Sequence, residues 1–214
     1  MYLNKNKVKN IGAMIFAAGR GKRMRYMTQF TAKPLIKINK ISMLETNIRR
    51  VANSGINKII INSSYMHYSI KKSLKKLQVK VKLPKLKISF EEALLETGGG
   101  LKNVIHEFKE TKLLLVNGDS LLNHSKKCCP ILTLNSNFDE KKMDILLLLT
   151  EKKNTLGYKG KGDYKKTSYS KISKLSSSNS KLSKKYVFTG WQIINKNFIT
   201  GYSEKKFSLK KVYD

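Results

Sequence analysis

Apolar segments of strand length alternate with amphipathic segments of helical period along most of the chain, which predicts a three-layer α/β fold around a mostly parallel central sheet. Two further observations support that reading. IGAMIFAA (11–18) runs straight into a glycine-rich turn, and the equally apolar KLLLVNGD (112–119) ends in an acidic one. Strands buried on both faces read as such continuous apolar runs, and parallel neighbours need right-handed crossovers.

The elements follow in order. Residues 11–18 form the first strand. Ser42 caps a helix to about Ser54, with Leu44, Ile48 and Val51 on one face, and Gly55 ends it. NKIIINSS (57–64) returns as the second strand. MHYSIKKSLKKL (66–77) is a helix with Met66, Ile70, Leu74 and Leu77 on one side, and LKISFEEA (86–93) alternates as a third strand. TGGGLKNVIHEF (97–108) turns into a third helix, 112–119 is the fourth strand and DILLLLT (144–150) the fifth. KKTSYSKISKLSSSNSKLSKK (165–185) is low in complexity and is expected to form a mobile hairpin or loop, after which YVFTGWQII (186–194) recovers a strand. One domain over 11–214 is expected, with a core at 11–150 and a second portion at 151–214. In such a sheet ligands sit beyond the carboxyl ends of the strands, where both the glycine turn and Asp119 fall.

The 214 residues carry a net charge of +30, from 39 lysines and five arginines against 14 acidic residues. The lysines are scattered from Lys5 to Lys211, without an arginine-rich or aromatic-interleaved stripe. Charge alone supports only non-specific affinity, so no specific nucleic-acid partner is expected. No stretch has the length of a membrane span, so no membrane partner is expected either. The basic start MYLNKNKVKN leads into a strand rather than a signal peptide, and a cytoplasmic location is expected. Cys128 and Cys129 are adjacent, which suits two reduced thiols better than a zinc ligand pair, and His67, His106 and His124 form no ligand motif.

Three of the five arginines, Arg20, Arg23 and Arg25, cluster around Gly19-Arg20-Gly21-Lys22-Arg23. Glycines let backbone N–H groups close on an anion. The turn is not a Walker loop, because Phe16 stands where its first glycine belongs and Arg23 where Ser or Thr belongs. Nor is it a dinucleotide fingerprint, since Met24 replaces the third glycine.

The continuation is more specific. AAGRGKRM, followed by Thr31 and Lys33-Pro34, resembles the signature of the sugar-1-phosphate nucleotidyltransferases. ISMLETNIRRVANSGINKIIIN, LLETGGGLKNVI, LLLVNGD, YVFTGWQII and FSLKKVYD resemble later segments of that family, so the likeness covers about 11–164 and 186–214. The ETGGG form looks most like the N-acetylmuramate 1-phosphate uridylyltransferases, with mannose- and heptose-1-phosphate guanylyltransferases close in pattern.

The resemblance implies a Rossmann-like nucleotidyltransferase fold whose partners are a nucleoside triphosphate and a sugar 1-phosphate. It implies that Ala17, Ala18, Gly19, Gly21 and Gly98 border the nucleotide, that Arg23 holds the leaving phosphates and that Lys33 contacts the reacting ones. It implies Glu96, Asn117 and Gly190 on the substrate side, and Asp119 with Asp214 as ligands of Mg2+. Asp139 and Asp144 lie at the entry of a strand, away from that rim. Two readings stay open for the Gly98–Gly100 run: contact with a close-packed ligand, or service of the turn into the helix. Trp191 reads as core, Arg20 and Lys22 as solvated flanks, and Arg49–Arg50 as an exposed face.

The chain departs from the family pattern at Tyr26 and Ala32, where prolines are usual, and at Tyr213, where tryptophan precedes the aspartate. Relatives also continue past the position of Asp214, so a shortened chain is expected. An active transferase, a truncated remnant that binds nucleotide without turnover, and a basic nucleic-acid binder are the three alternatives.

Overall fold

The computed structural model describes residues 7–123, 129–166, 172–174 and 184–213. β1 (Ile11–Phe16) is followed by short β2 (Lys37–Ile38) and β3 (Ile41–Ser42), then α1 (Met43–Asn53), β4 (Lys58–Ser63), α2 (His67–Lys80), β5 (Lys85–Phe90), α3 (Glu96–Val104) and β6 (Lys112–Asn117). The second portion holds α4 (Pro130–Asn137), β7 (Ile145–Glu151), β8 (Tyr164–Lys166), β9 (Ile172–Lys174), β10 (Lys185–Asn195), α5 (Lys196–Thr200) and α6 (Leu209–Val212).

The main sheet has eight strands. β5, β4, β1 and β6 are parallel in that spatial order, with Met14 opposite Ile60 on one side and Leu115 on the other. β10 then enters antiparallel between β6 and β7, Ile193 pairing with Leu114 and with Leu146. The expected mostly parallel sheet is thus present, with β10 inserted antiparallel and β9 running with it at the edge. An apolar run such as YVFTGWQII carries no signal of strand direction, which is why its orientation is not legible in sequence. β8 and β9 pair antiparallel inside the low-complexity stretch, whose residues 167–171 and 175–183 lie outside the described ones.

Alternation along the strands splits the core between the two faces of the sheet. Ile11, Ala13 and Ile15 of β1 pack with Leu44, Ile48 and Val51 of α1 and Ile70, Leu74 and Leu77 of α2. Met14, on the other face, packs with Leu101 and Val104 of α3, Phe108, Ile199 of α5 and Leu209 of α6. These are the three layers. Ser42 caps α1 as expected, its Oγ accepting from Glu45 N–H at 3.1 Å. α3 begins one residue earlier than expected and tightens into a 3-10 turn at Ile105–Glu107. α2 runs three residues beyond its predicted end, while β5 stops at Phe90.

Candidate active site

β1 ends at Phe16, and the chain that follows is fixed from both sides. Ala17 N–H donates to the buried Asn62 Oδ1 at 2.8 Å. Gly118 N–H donates to Phe16 O at 2.9 Å, so the turn after β6 lies directly beside the turn after β1. Gly21 has φ +65°, and a Cβ there would come within 2.9 Å of Lys33 Cβ and 3.0 Å of Thr28 Cγ2. Glycine is therefore required at that corner on both conformational and steric grounds. The next residues, Lys22–Thr28, form tight 3-10 turns broken at Arg25, and the Thr28 hydroxyl ties them back to Gly21 O at 3.1 Å. Arg23 contributes its backbone to these turns; its side chain lies outside the described part of the structure.

A second 3-10 turn, Lys33–Leu35, with Pro34 buried, brings Lys33 back toward the sheet. There its Nζ forms an ion pair with Asp119 Oδ2. The two side chains are 26% and 34% exposed, so the pair sits at the mouth of a pocket rather than in the core. Asp119 is held by its own turn. Asn47, fully buried on α1, donates from Nδ2 to Gly118 O at 3.4 Å and Ser120 O at 3.1 Å.

The pocket has a volume of about 340 Å³. Phe16, Ala17, Gly19 and Gly21 line one wall, Lys22, Lys33 and Pro34 another, and Thr97, Asn117 and Asp119 the rest. It lies at the carboxyl ends of β1 and β6, as expected of an open parallel sheet. A larger open groove of about 1040 Å³ lies at the opposite, amino ends of the strands and includes none of the expected site residues.

The expected residues divide into groups. Ala17, Gly19, Gly21, Lys33, Asn117 and Asp119 converge on one pocket. Gly190 of β10 does not line the pocket but packs against Asn117, which does: its φ is +81°, and a Cβ would lie 2.6 Å from Ser120 Oγ and 2.8 Å from Asn117 Nδ2. It sits in the β10 irregularity between Phe188 and Gln192. Ala17 and Ala18 are buried, and the Ala17 N–H is committed to Asn62. Glu96 is exposed and holds φ +63°, a conformation that costs a non-glycine residue roughly 1 kcal/mol. Asp214 lies outside the described residues.

The glycine triplet is closely packed inside the helix, an arrangement that neither the ligand reading nor the turn reading anticipated. A Cβ on Gly98 would stand 2.2 Å from Phe207 Cε2, on Gly99 2.4 Å from Lys205 O, and on Gly100 2.6 Å from Glu91 Oε1. Gly98 N–H donates to Phe207 O at 2.9 Å, so that amide is not a free donor to a phosphate. All three lie inside α3 rather than in a turn before it. Trp191 is fully buried, as expected. Arg50 is a correction: it is half-buried, its Nη1 lacks a partner among the described residues, and desolvation holds its guanidinium below the ordinary arginine range. Lys22 is exposed, yet it lines the pocket rim. Tyr213 donates from its hydroxyl to Gln192 Oε1 at 2.6 Å, and burial pushes its phenol well above the usual tyrosine range.

Sequence reasoning missed three buried polar residues, Asn47, Asn62 and Glu91. Asn62 Nδ2 donates to Glu91 Oε1 at 2.8 Å, and Leu95 N–H donates to Glu91 Oε2 at 3.1 Å. The available signal was position. Asn47 occupies a core-facing slot between Leu44 and Ile48, and Asn62 ends an unbroken run of isoleucines.

Comparison with known proteins bears on the family and the fold. The family model described as nucleotidyl transferase matches residues 12–159. An N-acetylmuramate alpha-1-phosphate uridylyltransferase of Caulobacter vibrioides is 28% identical over 153 residues, covering 71% of this chain and 62% of its own. A D-glycero-alpha-D-manno-heptose 1-phosphate guanylyltransferase of Campylobacter jejuni is 28% identical over 156 residues, covering 65% of this chain and 68% of its own. The chain thus spans about two thirds of these relatives' length. HddC from Yersinia pseudotuberculosis, solved with GMP-PN, superposes with a TM-score of 0.74 at 22% identity, over 92% of this chain and 82% of that one. The inositol-1-phosphate CTP transferase of T. maritima gives 0.69 at 18%, over 94% and 79%. At those identities the likeness speaks for the fold, and the family model speaks for descent: the chain belongs to the nucleotidyl transferase family.

Proposed function

We propose that the chain is a sugar-1-phosphate nucleotidyltransferase that joins UTP to N-acetylmuramate 1-phosphate, giving the UDP-sugar and pyrophosphate. The observation that carries this reading is the meeting of Lys33 and Asp119 in one pocket beside the Gly19–Gly21 turn. A cation and a carboxylate on separately anchored turns serve a reaction in which phosphates must be gathered and their charge balanced. A phosphate oxygen of the sugar attacks the α-phosphorus in line, the bond to the β-phosphate oxygen breaks, and pyrophosphate leaves. Gly19, which has open space on its Cα side, offers backbone room to the triphosphate, and Gly21 makes the corner that presents it. Lys33 draws the reacting phosphates together as a point charge, and Arg23 takes the leaving phosphates through its planar fork. Asn117 and Gly190 form the sugar-side rim, with Glu96 at the edge.

Asp119 fits a magnesium ion of the kind held by one or two carboxylates and substrate phosphates, and Asp214 would be its second carboxylate. Bound there, the ion would offset the negative charge of the phosphates. A nucleoside triphosphate substrate implies a cytoplasmic reaction.

A guanylyltransferase acting on a heptose or mannose 1-phosphate is the second reading, favoured by the Campylobacter relative. One experiment separates them: pyrophosphate release with magnesium across UTP, GTP, CTP, dTTP and ATP, each with N-acetylmuramate, heptose, mannose and glucose 1-phosphates. Turnover with UTP and N-acetylmuramate 1-phosphate is the expected result. Turnover with GTP and a heptose or mannose 1-phosphate would replace it with the second reading, and silence from folded protein would refute both.

A further inference from the structure

We infer that Asn62 and Glu91 act as one positioning unit that sets the distance between the two walls of the pocket, an inference that rests on the nucleotidyltransferase reading above. Glu91 is 3% exposed and has no cationic partner among the described residues. A buried carboxylate beside a pocket for a polyanion works against binding unless its hydrogen bonds do something that outweighs the repulsion. Here they reach both walls. Through Asn62, Glu91 fixes Ala17 N–H at the start of the phosphate turn; directly, it fixes Leu95 N–H at the start of α3. Leu95 is followed by Glu96, held at φ +63°, and by Thr97, which lines the pocket. The tether on Leu95 thus precedes the bend that brings Thr97 to its place. Gly100 belongs to the same device, since a side chain there would collide with both Glu91 Oε1 and Asn62 Nδ2.

The polarity of this chain of bonds is fully specified. Ala17 and Leu95 are both donors, so the two side chains between them must present an acceptor at each end and one donor in the middle. Asn62 with Glu91 satisfies that requirement. Glu91→Gln alone supplies one donor too many, whichever way the amides turn. Asn62→Asp alone sets two carboxylates against each other. Asn62→Asp with Glu91→Gln restores the pattern with the middle bond reversed, at the same net charge and nearly the same volume.

The test uses the full chain, the two single variants and the double variant. It has two readouts: backbone amide exchange of residues 16–21 and 94–98 without ligand, and UTP affinity by calorimetry with magnesium. Each single variant is expected to accelerate exchange in both segments and to weaken UTP at least about tenfold, as a mismatched, unsatisfied group in a buried hydrogen-bond chain should. The double variant is expected to regain protection in both segments and to bind within about threefold of the parent, a coupling typical of contacting residues. Singles that leave either segment's exchange unchanged would overturn the inference. So would a double variant that is folded but no better than the weaker single in UTP affinity. If a single variant does not fold, the double variant decides: folded with parental affinity supports the unit, folded without it refutes it. Protection that follows the swap in a protein that binds no nucleoside triphosphate would instead refute the proposed function, leaving the linkage between the walls in place.

Discussion

Replacing Gly98 by alanine separates packing from ligand contact in the glycine triplet. The added Cβ would lie 2.2 Å from Phe207 Cε2 and 2.3 Å from Cδ2, well over 1 Å inside ordinary contact. Phe207 has little room to retreat. Its side chain is 1% exposed and stacked on Tyr202 with centroids 4.3 Å apart, and its carbonyl accepts from both Gly98 and Gly99. Overpacking of this kind costs about 1–3 kcal/mol, against a gain of roughly 1 kcal/mol from alanine's better helix propensity. An approach of 2.2 Å puts the cost at the upper end of that range, so the net expectation is a loss of about 2 kcal/mol. In a domain of this size that lowers the midpoint of thermal unfolding by about 4–8 °C. A double-mutant cycle with Phe207→Leu, followed by urea unfolding, should return a coupling of about 1 kcal/mol or more, because the smaller side chain gives the methyl its space. An alanine variant that melts like the parent and has lost nucleotide affinity would refute this reasoning and return the triplet to the ligand.

Asp119→Asn should lower nucleotidyl transfer roughly a hundredfold or more, the scale of losing one preorganised electrostatic group, as measured by pyrophosphate release. The same change frees Lys33, and a partly exposed pair is worth up to about 1 kcal/mol. Calorimetric affinity for UTP without divalent ions should therefore rise, by up to about fivefold. Tyr213→Phe tests the buried phenol. Its pKa in the folded state lies above the ordinary value of 10.0, so the folded chain retains a proton that the unfolded chain releases. That contribution is complete below about pH 10 and fades as the pH rises beyond it. The variant should lose about 1–3 kcal/mol at pH 8, because Gln192 Oε1 is left buried without its donor, and should then lose less than the parent between pH 8 and pH 10.5.

Much of the frame was legible because it depends on pattern. Ser42 before an i, i+4, i+7 apolar stripe announces α1, and the apolar runs at 11–16 and 112–117 announce neighbouring buried strands that deliver the glycine turn and Asp119 to one rim. Less legible features depend on partners distant in sequence. A glycine run announces close approach but not to what; the answer for Gly98 lies 109 positions away at Phe207. The antiparallel course of β10 and the short α5 and α6 are set by what they pack on rather than by local preference. Arg50 looks like surface because arginine usually is, and only the packing around α1 covers it. Asn62 and Glu91 were hidden for a different reason: single polar residues beside apolar runs have no periodicity, and their importance arises from each other.

The place of β10 in the sheet has a consequence for synthesis on the ribosome. The four parallel strands are complete once residue 117 has emerged, but β6 pairs on its other side with residues 191–195. Until those residues leave the exit tunnel, β6 is an open edge of leucines and valine with unpaired backbone groups, and Asp119 stands at the end of it. At about 5–20 residues per second that interval lasts several seconds, long compared with hairpin formation. The nascent chain therefore passes through a stage in which the half with the four parallel strands can already be ordered while its β6 edge is the surface most prone to wrong pairing. The high lysine content gives that intermediate a strong positive charge, and mutual repulsion between nascent chains is the protection it has until β10 arrives.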